Sequence, residues 1–253
     1  MVSMASAVTL SPVALFRAGK VREAIQALTA YLREHPGDTA QRTFLFELLC
    51  FAGEYTRAEK QLAVLAGSGI EAETGATVYY AALHAEKNRH ELFEKRKFPE
   101  EAAVSPRGEL NGRPFTELRD ADPNIGARLE VYAAGATMWI PFEHVASLEM
   151  GSPGRLRDTL WAPARVTTAA TFRSKDLGAV LIPAVYPFSW KHPDEAVWLG
   201  RITTWVEEKE GLGFPAGQKT WIVDGEEFPF LEVRSVVFHS AADSRAGTEK
   251  QES

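Results

Sequence analysis

The pattern of hydrophobic and polar positions divides the chain into two parts. The first part, up to about Lys97, has the repetitive pattern of packed helices. From about Arg128 onward, short runs rich in β-branched and aromatic residues alternate with turn residues, which is typical of β-strands. We therefore predict an α+β protein in which a helical part is followed by a mainly antiparallel β domain.

The helical part contains an internal repeat. The segments "RAGKVREAIQALTAYL" and "FAGEYTRAEKQLAVLA" align after a shift of 34 residues, which places Gly19 on Gly53 and Ala24 on Ala58. A helix-turn-helix period of this length is typical of tetratricopeptide repeats. The glycine ends one helix in a left-handed conformation, and the small alanine lets the next helix approach closely. The repeat predicts N-terminal tetratricopeptide-like helical hairpins, closed by one further helix over residues 71–97.

The first helix of the second hairpin is apolar around almost its whole circumference. Between Phe44 and Phe51, Glu47 is the one polar residue. A helix on a protein surface normally carries one apolar stripe and a polar opposite face. Either the chain itself covers this helix on both sides, or one side binds a partner.

These patterns predict four segments along the chain. They are a tetratricopeptide-like helical domain over 10–97, a connection rich in proline and glycine over 98–127, a β-rich domain over 128–238 and a disordered tail over 239–253. Within the β-rich domain, the pair Asp224–Gly225 separates two strand-like runs and predicts a tight hairpin.

Charge and composition narrow the classes of function. The formal net charge is −6, and the acidic excess and all six tryptophans lie after Lys97. A protein that binds duplex nucleic acid normally presents a basic face, so we expect no nucleic-acid partner. No apolar run approaches the ~20 residues that cross a bilayer, and the N-terminus lacks the pattern of a signal peptide. We expect a cytoplasmic protein without membrane insertion, and the single cysteine agrees with a reducing compartment.

No set of residues has the spacing of a catalytic or metal site. Lys219–Thr220 resembles the end of a phosphate-binding loop, but the upstream glycine is misplaced and no helix is predicted after it. The histidines lack the spacing of zinc ligands, so we expect no metal and no cofactor. Asp120 and Asp122 form the best carboxylate pair, and their "RDADPN" context is more typical of a turn than of a cation site.

Two aromatic segments that contain proline, "MWIPFEH" and "VYPFSW", are candidates for an interaction surface. Prolines exclude a central strand, and aromatic residues on rigid loops are common anchors at interfaces. The alternative is that these rings close the ends of the β core. The candidate residues are Trp139, Phe142, Tyr186, Phe188 and Trp190.

Five blocks of the sequence resemble the ImpE/SciE/TagJ family of type VI secretion accessory proteins. The blocks are "RTFLFELLCFAGEYTRAEKQL", "LEVYAAGATMWIPFEHVASLE", "LRDTLWAPARV", "LIPAVYP" and "FLEVRSV". They arrive in the order of the family, and the similarity extends from about Leu15 to Val237. The resemblance implies a bacterial cytoplasmic protein without enzymatic activity. It also implies binding to the small subunit of the contractile sheath, and through it an indirect link to the AAA+ ATPase that disassembles the spent sheath.

The helical part agrees with this implication. Stacked tetratricopeptide-like hairpins form a concave surface from the first helix of each hairpin, and an amphipathic partner helix in that groove needs apolar anchors. Not every apolar residue of the first helix can face this groove, and we expect the side that packs inside the hairpin to consist of Leu45, Phe46, Leu48 and Leu49. The predicted partner-binding residues are Val13, Phe16, Arg17, Thr43, Glu47, Cys50 and Phe51.

A second hypothesis is an enzyme that acts on a glycan or another small molecule through carboxylates and aromatic residues of the β-rich domain. Two carboxyl groups that face one cleft at ~5–10 Å would favour the enzyme, whereas scattered acidic residues would favour the adaptor. The residues and the resemblance together favour the non-catalytic adaptor.

Overall fold

The computed structural model describes residues 10–101, 103–104, 106–172, 177–207 and 213–239. The chain divides into two compact units, the N-terminal unit Met1–Ala76 and the C-terminal unit Thr77–Ser253. The described helices are α1 (Pro12–Arg17), α2 (Val21–Glu34), α3 (Thr39–Phe51), α4 (Tyr55–Ala66), α5 (Ile70–Glu94) and α6 (Glu195–Trp198). The described strands are β1 (Gly108–Leu110), β2 (Arg113–Phe115), β3 (Leu118–Asp120), β4 (Arg128–Ala133), β5 (Ala136–Pro141), β6 (Val145–Met150), β7 (Trp161–Thr168), β8 (Gly178–Pro183), β9 (Thr203–Val206), β10 (Phe214–Gly217), β11 (Thr220–Val223), β12 (Glu226–Pro229) and β13 (Ser235–Phe238).

The 34-residue repeat is present in the backbone of the N-terminal unit. Gly19 after α1 and Gly53 after α3 have φ values of 76° and 69°, a left-handed conformation that favours glycine. In both turns, the N–H of the residue after the glycine donates to the carbonyl five residues earlier, at 2.9 Å. The glycine N–H donates in turn to the carbonyl three residues earlier. The two bonds together satisfy the last carbonyls of the first helix, as in a Schellman motif. Two equivalent helical hairpins, α1–α2 and α3–α4, follow from this geometry.

The second helix of each hairpin packs through a small residue. Ala24 on α2 and Ala58 on α4 are both fully buried, as the repeat pattern predicts. Helix α3 contacts both α2 and α4, so it lies between two helices of the same unit. The predicted internal residues of α3, from Leu45 to Leu49, are buried as well.

The C-terminal unit contains an eight-stranded antiparallel sheet with the order β2-β1-β13-β6-β7-β8-β4-β5. A second antiparallel sheet has the order β12-β11-β3, and β9 pairs with β10 in a two-stranded ribbon. The core cluster of this unit includes Leu129, Val131, Phe142, Trp221 and Phe230. The prediction of a mainly antiparallel β domain after helical hairpins is therefore confirmed.

Three hairpin turns of the C-terminal unit contain a pair of residues in the left-handed conformation, and one of them, Asp224–Gly225, was predicted. Asp224 and Gly225, with φ values of 50° and 90°, connect β11 to β12 as predicted. Asn111 and Gly112, with φ values of 51° and 75°, connect β1 to β2 in the same way. A left-handed pair of this kind matches the twist of adjacent strands. Ala134–Gly135 forms the equivalent turn between β4 and β5.

The predicted segment boundaries require a correction. The connection proposed for 98–127 contains strands β1, β2 and β3, so β structure begins at Gly108 and not at about Arg128. The last long helix, α5, ends at Glu94, but the division between the compact units falls inside it, after Ala76. Apart from His239, the predicted disordered tail over 239–253 lies outside the described residues.

Candidate interaction sites

The structure separates the seven predicted partner-binding residues into an accessible group and a buried group. Val13 on α1 is 39% exposed, and Arg17 in the last turn of α1 is exposed as well. Phe16 and Thr43 are half-buried. The ring of Phe16 meets the ring of Phe44 on α3 edge to face, with 5.5 Å between the centroids. We call Val13, Phe16, Arg17 and Thr43 the α1–α3 patch.

The other three residues are not part of an open groove. Glu47 is 7% exposed, and Cys50 and Phe51 are each 2% exposed. Helix α3 is apolar on nearly every side, and it packs against both neighbouring helices, which removes these side chains from solvent. The prediction that Glu47, Cys50 and Phe51 face a groove is corrected on this point. The apolar run of α3 is covered by the chain itself.

The α1–α3 patch is built on a short, well-capped helix. The side chain of Ser11 accepts a hydrogen bond from the Ala14 N–H at 3.2 Å, and Pro12 occupies the first helical position. Both features favour the start of a helix at this point. The cap therefore defines where α1 begins, and the exposed Val13 lies in its first turn.

The aromatic candidates of the C-terminal unit also fall into two groups. Phe142 and Tyr186 are buried, with exposures of 0% and 1%. The Phe142 ring packs against Trp221 and Phe238, at centroid distances of 5.7 and 5.0 Å. These two residues belong to the protein interior, so the prediction that they form an interface is corrected.

Trp139, Phe188 and Trp190 are half-buried and keep part of their surface accessible. The Phe188 and Trp190 rings lie 5.0 and 4.4 Å from the ring of His90 on α5. Trp139 contacts Phe93 at 5.9 Å and donates its indole N–H to Glu130 at 3.1 Å. The three rings thus pack beside the C-terminal part of α5, and their role at an interface stays a prediction.

A network of buried ion pairs connects α5 to the sheets of the C-terminal unit. Arg89 on α5 donates to both carboxylate oxygens of Glu130 on β4, at 3.0 and 2.8 Å. Lys219, just before β11, donates to Glu130 at 3.0 Å and to Asp120 at 2.9 Å. None of these four residues is more than 2% exposed. The two-point contact between Arg89 and Glu130 is stronger than a single hydrogen bond and defines the orientation of both side chains.

Neutral donors complete the network. Glu86, one turn before Arg89, accepts hydrogen bonds from the Tyr132 hydroxyl at 2.5 Å and from the Trp161 indole at 2.8 Å. The Tyr186 hydroxyl donates to Asp120 at 2.9 Å. Burying a charge is costly unless it is paired and hydrogen-bonded, and these donors meet that requirement.

The buried charges shift one another's pKa values. Burial opposes the ionisation of Glu130, but the charges of Arg89 and Lys219 outweigh it and lower the pKa of Glu130. Burial also opposes the charge of Lys219, but the neighbouring carboxylates outweigh it and raise its pKa. Burial also opposes the ionisation of Glu86. The His90 ring, whose Nε2 lies 3.2 Å from Glu86 Oε1, and the charge of Arg89 outweigh it and lower the pKa of Glu86 to about 2. Glu86, Glu130 and Lys219 are therefore charged at neutral pH.

Sequence reasoning missed this network, although some of its members were visible. Asp120 stood out as one of a carboxylate pair, and Lys219 as an imperfect phosphate-loop lysine. The structure instead pairs these two residues with each other in the interior. Glu130 alternates with Leu129 and Val131 along β4, a pattern that normally places the polar residue in solvent. Only the position of α5 over that face makes Glu130 an interior residue.

A pocket of about 470 Å³ opens on the C-terminal unit near the half-buried rings. Three prolines contribute to its lining, together with the four phenylalanines Phe93, Phe98, Phe188 and Phe214. Its charged lining residues are Glu94, Arg96, Asp122 and Lys191. Asp122 differs from the other three because it is only 2% exposed. We call this feature the Asp122 pocket.

Asp122 itself forms the turn that its sequence context predicts. Its Oδ1 atom accepts hydrogen bonds from the backbone N–H and the side-chain amide of Asn124, both at 2.9 Å. Burial and the neighbouring Asp120 raise the pKa of Asp122, against the opposing effect of these hydrogen bonds. Within the described ranges, no group of three or more histidine, cysteine, aspartate or glutamate residues has a metal-binding arrangement. Among the described helices, none is long and apolar enough to cross a membrane.

Comparisons with known proteins identify both parts of the chain. The sequence model of the family described as "ImpE protein" matches residues 112–237, and a tetratricopeptide repeat model matches residues 15–69. The type VI secretion system accessory component TagJ of Pseudomonas aeruginosa is 30% identical over 259 aligned positions, which cover 88% of this chain and 89% of TagJ. The crystal structure of protein VPA1032 from Vibrio parahaemolyticus superposes with a TM-score of 0.79 at 20% identity, covering 91% of this chain and 98% of that one. The predicted tetratricopeptide-like repeats are thus confirmed, and the fold is shared with a solved structure.

Proposed function

The chain belongs to the ImpE family, which includes TagJ, and we propose on this premise that it is a non-catalytic adaptor of a bacterial type VI secretion system. The adaptor binds an amphipathic helix of the small sheath subunit in the cytoplasm. Through that subunit it is linked indirectly to the AAA+ ATPase that disassembles the sheath. The role of TagJ as a type VI secretion accessory component and the tetratricopeptide-like hairpins of the N-terminal unit support this proposal.

The α1–α3 patch is the observation that carries the proposal. It combines an exposed valine, a half-buried phenylalanine and an exposed arginine on the first helix of the first hairpin. An amphipathic helix needs apolar anchors at such a surface, and a cation at its edge favours an acidic flank on the partner. The patch differs from the surface predicted from sequence, because α3 contributes Thr43 but not its buried C-terminal half.

The buried carboxylates of the C-terminal unit support a non-catalytic role. A general acid or base must exchange protons with a substrate and needs a pKa near the working pH. Glu86, Asp120 and Glu130 instead form ion pairs with buried arginine and lysine side chains. In this respect they resemble structural ion pairs more than the paired carboxylates of a glycosidase.

A matched pair of valine substitutions tests the proposal. Val13 on α1 and Val64 on α4 are both exposed, by 39% and 54%, but only Val13 lies in the patch. A titration of the full chain with the N-terminal helix of the small sheath subunit measures the affinity of each variant. We expect Val13→Asp to weaken binding by about tenfold or more, and Val64→Asp to bind as the wild type does. Aspartate in the first turn of α1 is compatible with the helix dipole, so folding is preserved.

Phe16→Ala provides the second variant of this experiment. Removal of an interface anchor costs ~2 kcal/mol of binding free energy, which is a loss of about 30-fold in affinity. A thermal melt of the same sample verifies that the variant is folded. Equal binding by Val13→Asp and Val64→Asp, or unchanged binding by folded Phe16→Ala, would contradict the assignment of the patch.

A further inference from the structure

The walls of the Asp122 pocket are suited to a flat or elongated apolar group. Phe93 and Phe98 meet edge to face with centroids 5.1 Å apart, and Phe188 lines the pocket with the neighbouring proline, Pro187. Phe188 has a left-handed backbone conformation, with φ of 61°, that is rare for a large side chain. The Nζ atom of Lys191 lies 4.1 Å from the centroid of the Phe188 ring. This wall therefore already carries one cation on an aromatic face.

The carboxylate of Asp122 is the one buried acidic group in the lining of this pocket. The two hydrogen bonds to Asp122 both come from Asn124, and both end on Oδ1. A ligand that donates a hydrogen bond to Oδ2 in this pocket gains more than it would in bulk water.

The other charged groups that line the pocket are more exposed than Asp122. Glu94 and Lys191 face each other at 4.0 Å, and both side chains are 60% exposed. Arg96 is exposed too, so water and salt screen all three charges. Asp122 is buried, and its interactions are screened much less. Among the charged groups that line the pocket, Asp122 is therefore the least screened by solvent.

The shape and the charge together select the chemical class of ligand. An anion is repelled by Asp122, and a purely apolar group donates no hydrogen bond to Oδ2. A guanidinium group is planar, stacks on aromatic rings and donates two parallel hydrogen bonds to a carboxylate. Its weak hydration also favours entry into an apolar pocket more than that of an ammonium group.

We propose that the Asp122 pocket binds an arginine side chain of a partner protein, with the guanidinium on Asp122 and the aliphatic stem between the phenylalanine and proline walls. A pocket of about 470 Å³ is large enough for this side chain. Arginine is enriched among the residues that dominate binding energy at protein interfaces. This site lies in the C-terminal unit, so it is independent of the α1–α3 patch and goes beyond the proposed function.

A pair of isosteric probes tests the charge requirement. The full chain is titrated with N-acetyl-arginine amide and with N-acetyl-citrulline amide, which has nearly the same shape but no charge. We expect the arginine probe to bind at least about tenfold more tightly than the citrulline probe. Equal affinities, or no saturable binding of the arginine probe at millimolar concentration, would overturn the proposal.

The variant Asp122→Asn tests the residue. Asparagine keeps an acceptor for both hydrogen bonds from Asn124 and removes only the charge. We expect the preference for arginine over citrulline to disappear in this variant and to persist in Glu91→Gln. Glu91 is an exposed acid on α5 that does not line the pocket, so it controls for the change in net charge. Retention of the preference by folded Asp122→Asn would overturn the assignment.

Two further probes test the identity of the occupant. N-acetyl-lysine amide tests the preference for guanidinium, and equal binding of the lysine and arginine probes would overturn the choice of arginine. Agmatine carries the guanidinium without the peptide backbone. Binding of agmatine more than about tenfold tighter than the arginine probe would identify a site for a free small cation and overturn the proposal of a protein partner.

Discussion

The two units of the protein are stabilised by different kinds of interior. In the described part of the N-terminal unit, Glu47 is the one buried charged residue, and the remaining interior consists of leucine, alanine and other apolar side chains. The C-terminal unit buries Glu86, Arg89, Glu130 and Lys219 beside its hydrophobic core. This difference in buried charge follows from how far apart along the chain the packed residues lie. Helical hairpins satisfy their own backbone and pack against sequence neighbours, whereas Lys219 and Asp120 are 99 positions apart.

The ion-pair network specifies one arrangement of distant elements. Apolar contacts between α5 and the sheets tolerate small shifts, because the hydrophobic effect is not directional. The two-point contact of Arg89 with Glu130 tolerates much less displacement. We therefore expect the stability of the C-terminal unit to fall most when a buried charge is removed. The stability of the N-terminal unit should fall most when a buried apolar side chain is truncated. All six tryptophans lie in the C-terminal unit, so tryptophan fluorescence follows its unfolding selectively.

The largest effect is expected for Lys219→Met. The substitution removes the cation that contacts both Asp120 and Glu130, and leaves these buried carboxylates partly unpaired. Breaking a buried ion pair in this way costs ~3–5 kcal/mol of unfolding free energy. Urea unfolding monitored by tryptophan fluorescence measures the loss. The control is Lys95→Met, which removes an exposed ion pair with Glu91 and should leave the midpoint unchanged. Equal midpoints for the two variants would show that the network contributes no stability.

Phe51→Ala and Leu48→Ala test the interior of the N-terminal unit. Both side chains on α3 are buried, with exposures of 2% and 0%. Each truncation should cost ~2–5 kcal/mol, because it removes apolar contacts and leaves a cavity. Circular dichroism at 222 nm measures the thermal midpoint of each variant. A wild-type midpoint for Phe51→Ala, beside a lowered one for Leu48→Ala, would restore the view that Phe51 faces a groove.

Acid should destabilise the C-terminal unit through Glu86. The pKa of this carboxyl is lowered from 4.5 to about 2 in the folded protein, so its contribution is fully present above pH ~4.5. As the pH falls from ~4.5 towards ~2, the unfolded state binds a proton more readily, and ~3 kcal/mol of stability is lost. Urea titrations across this pH range, followed by tryptophan fluorescence, measure how steeply the free energy of unfolding falls with pH. Glu86→Gln should be less stable at neutral pH and show a shallower acid slope; an unchanged slope would exclude Glu86 as its source.

The smallest effect is expected for Ser11→Ala at the start of α1. The substitution removes the hydrogen bond from the Ala14 N–H to the serine hydroxyl, and loss of such a cap costs ~1 kcal/mol. Because α1 carries Val13 and Phe16, fraying of its first turn should also weaken the partner affinity slightly. A helical circular dichroism melt and the sheath-helix titration measure the two effects. The matched variant Ser11→Asp keeps an acceptor and should retain both stability and affinity.

Local signals account for most of what could be predicted about the fold. Gly19 and Gly53 mark the hairpin turns because only glycine adopts their backbone conformation without strain. Asp224–Gly225 marks a hairpin for the same reason. Asn111–Gly112 carries an equally clear signal, but the surrounding prolines and charges obscured it, and three strands were assigned to a connection.

The candidate sites depend more strongly on packing between distant segments. Val13 is exposed and Phe16 is half-buried, since one short helix largely determines their surroundings, and their role in binding a partner stays a prediction. Cys50 and Phe51 follow the same repeat pattern, but their burial depends on the helices packed against α3. Phe142 and Tyr186 were assigned to an interface for a similar reason: an aromatic residue beside a proline has the same local pattern in a core and on a surface.

The sequence by itself determined the repeat, the order of helices and strands, and the family, because turn residues and periodicity act over a few positions. Only the tertiary structure decided which charged residues became interior ones. Asp120, Glu130 and Lys219 have polar, solvent-compatible patterns when considered locally. They are buried because α5, β4 and the segment before β11 bring opposite charges within 3.0 Å of one another. A charge can be buried only where its partner is present, and the partner here lies many residues away along the chain.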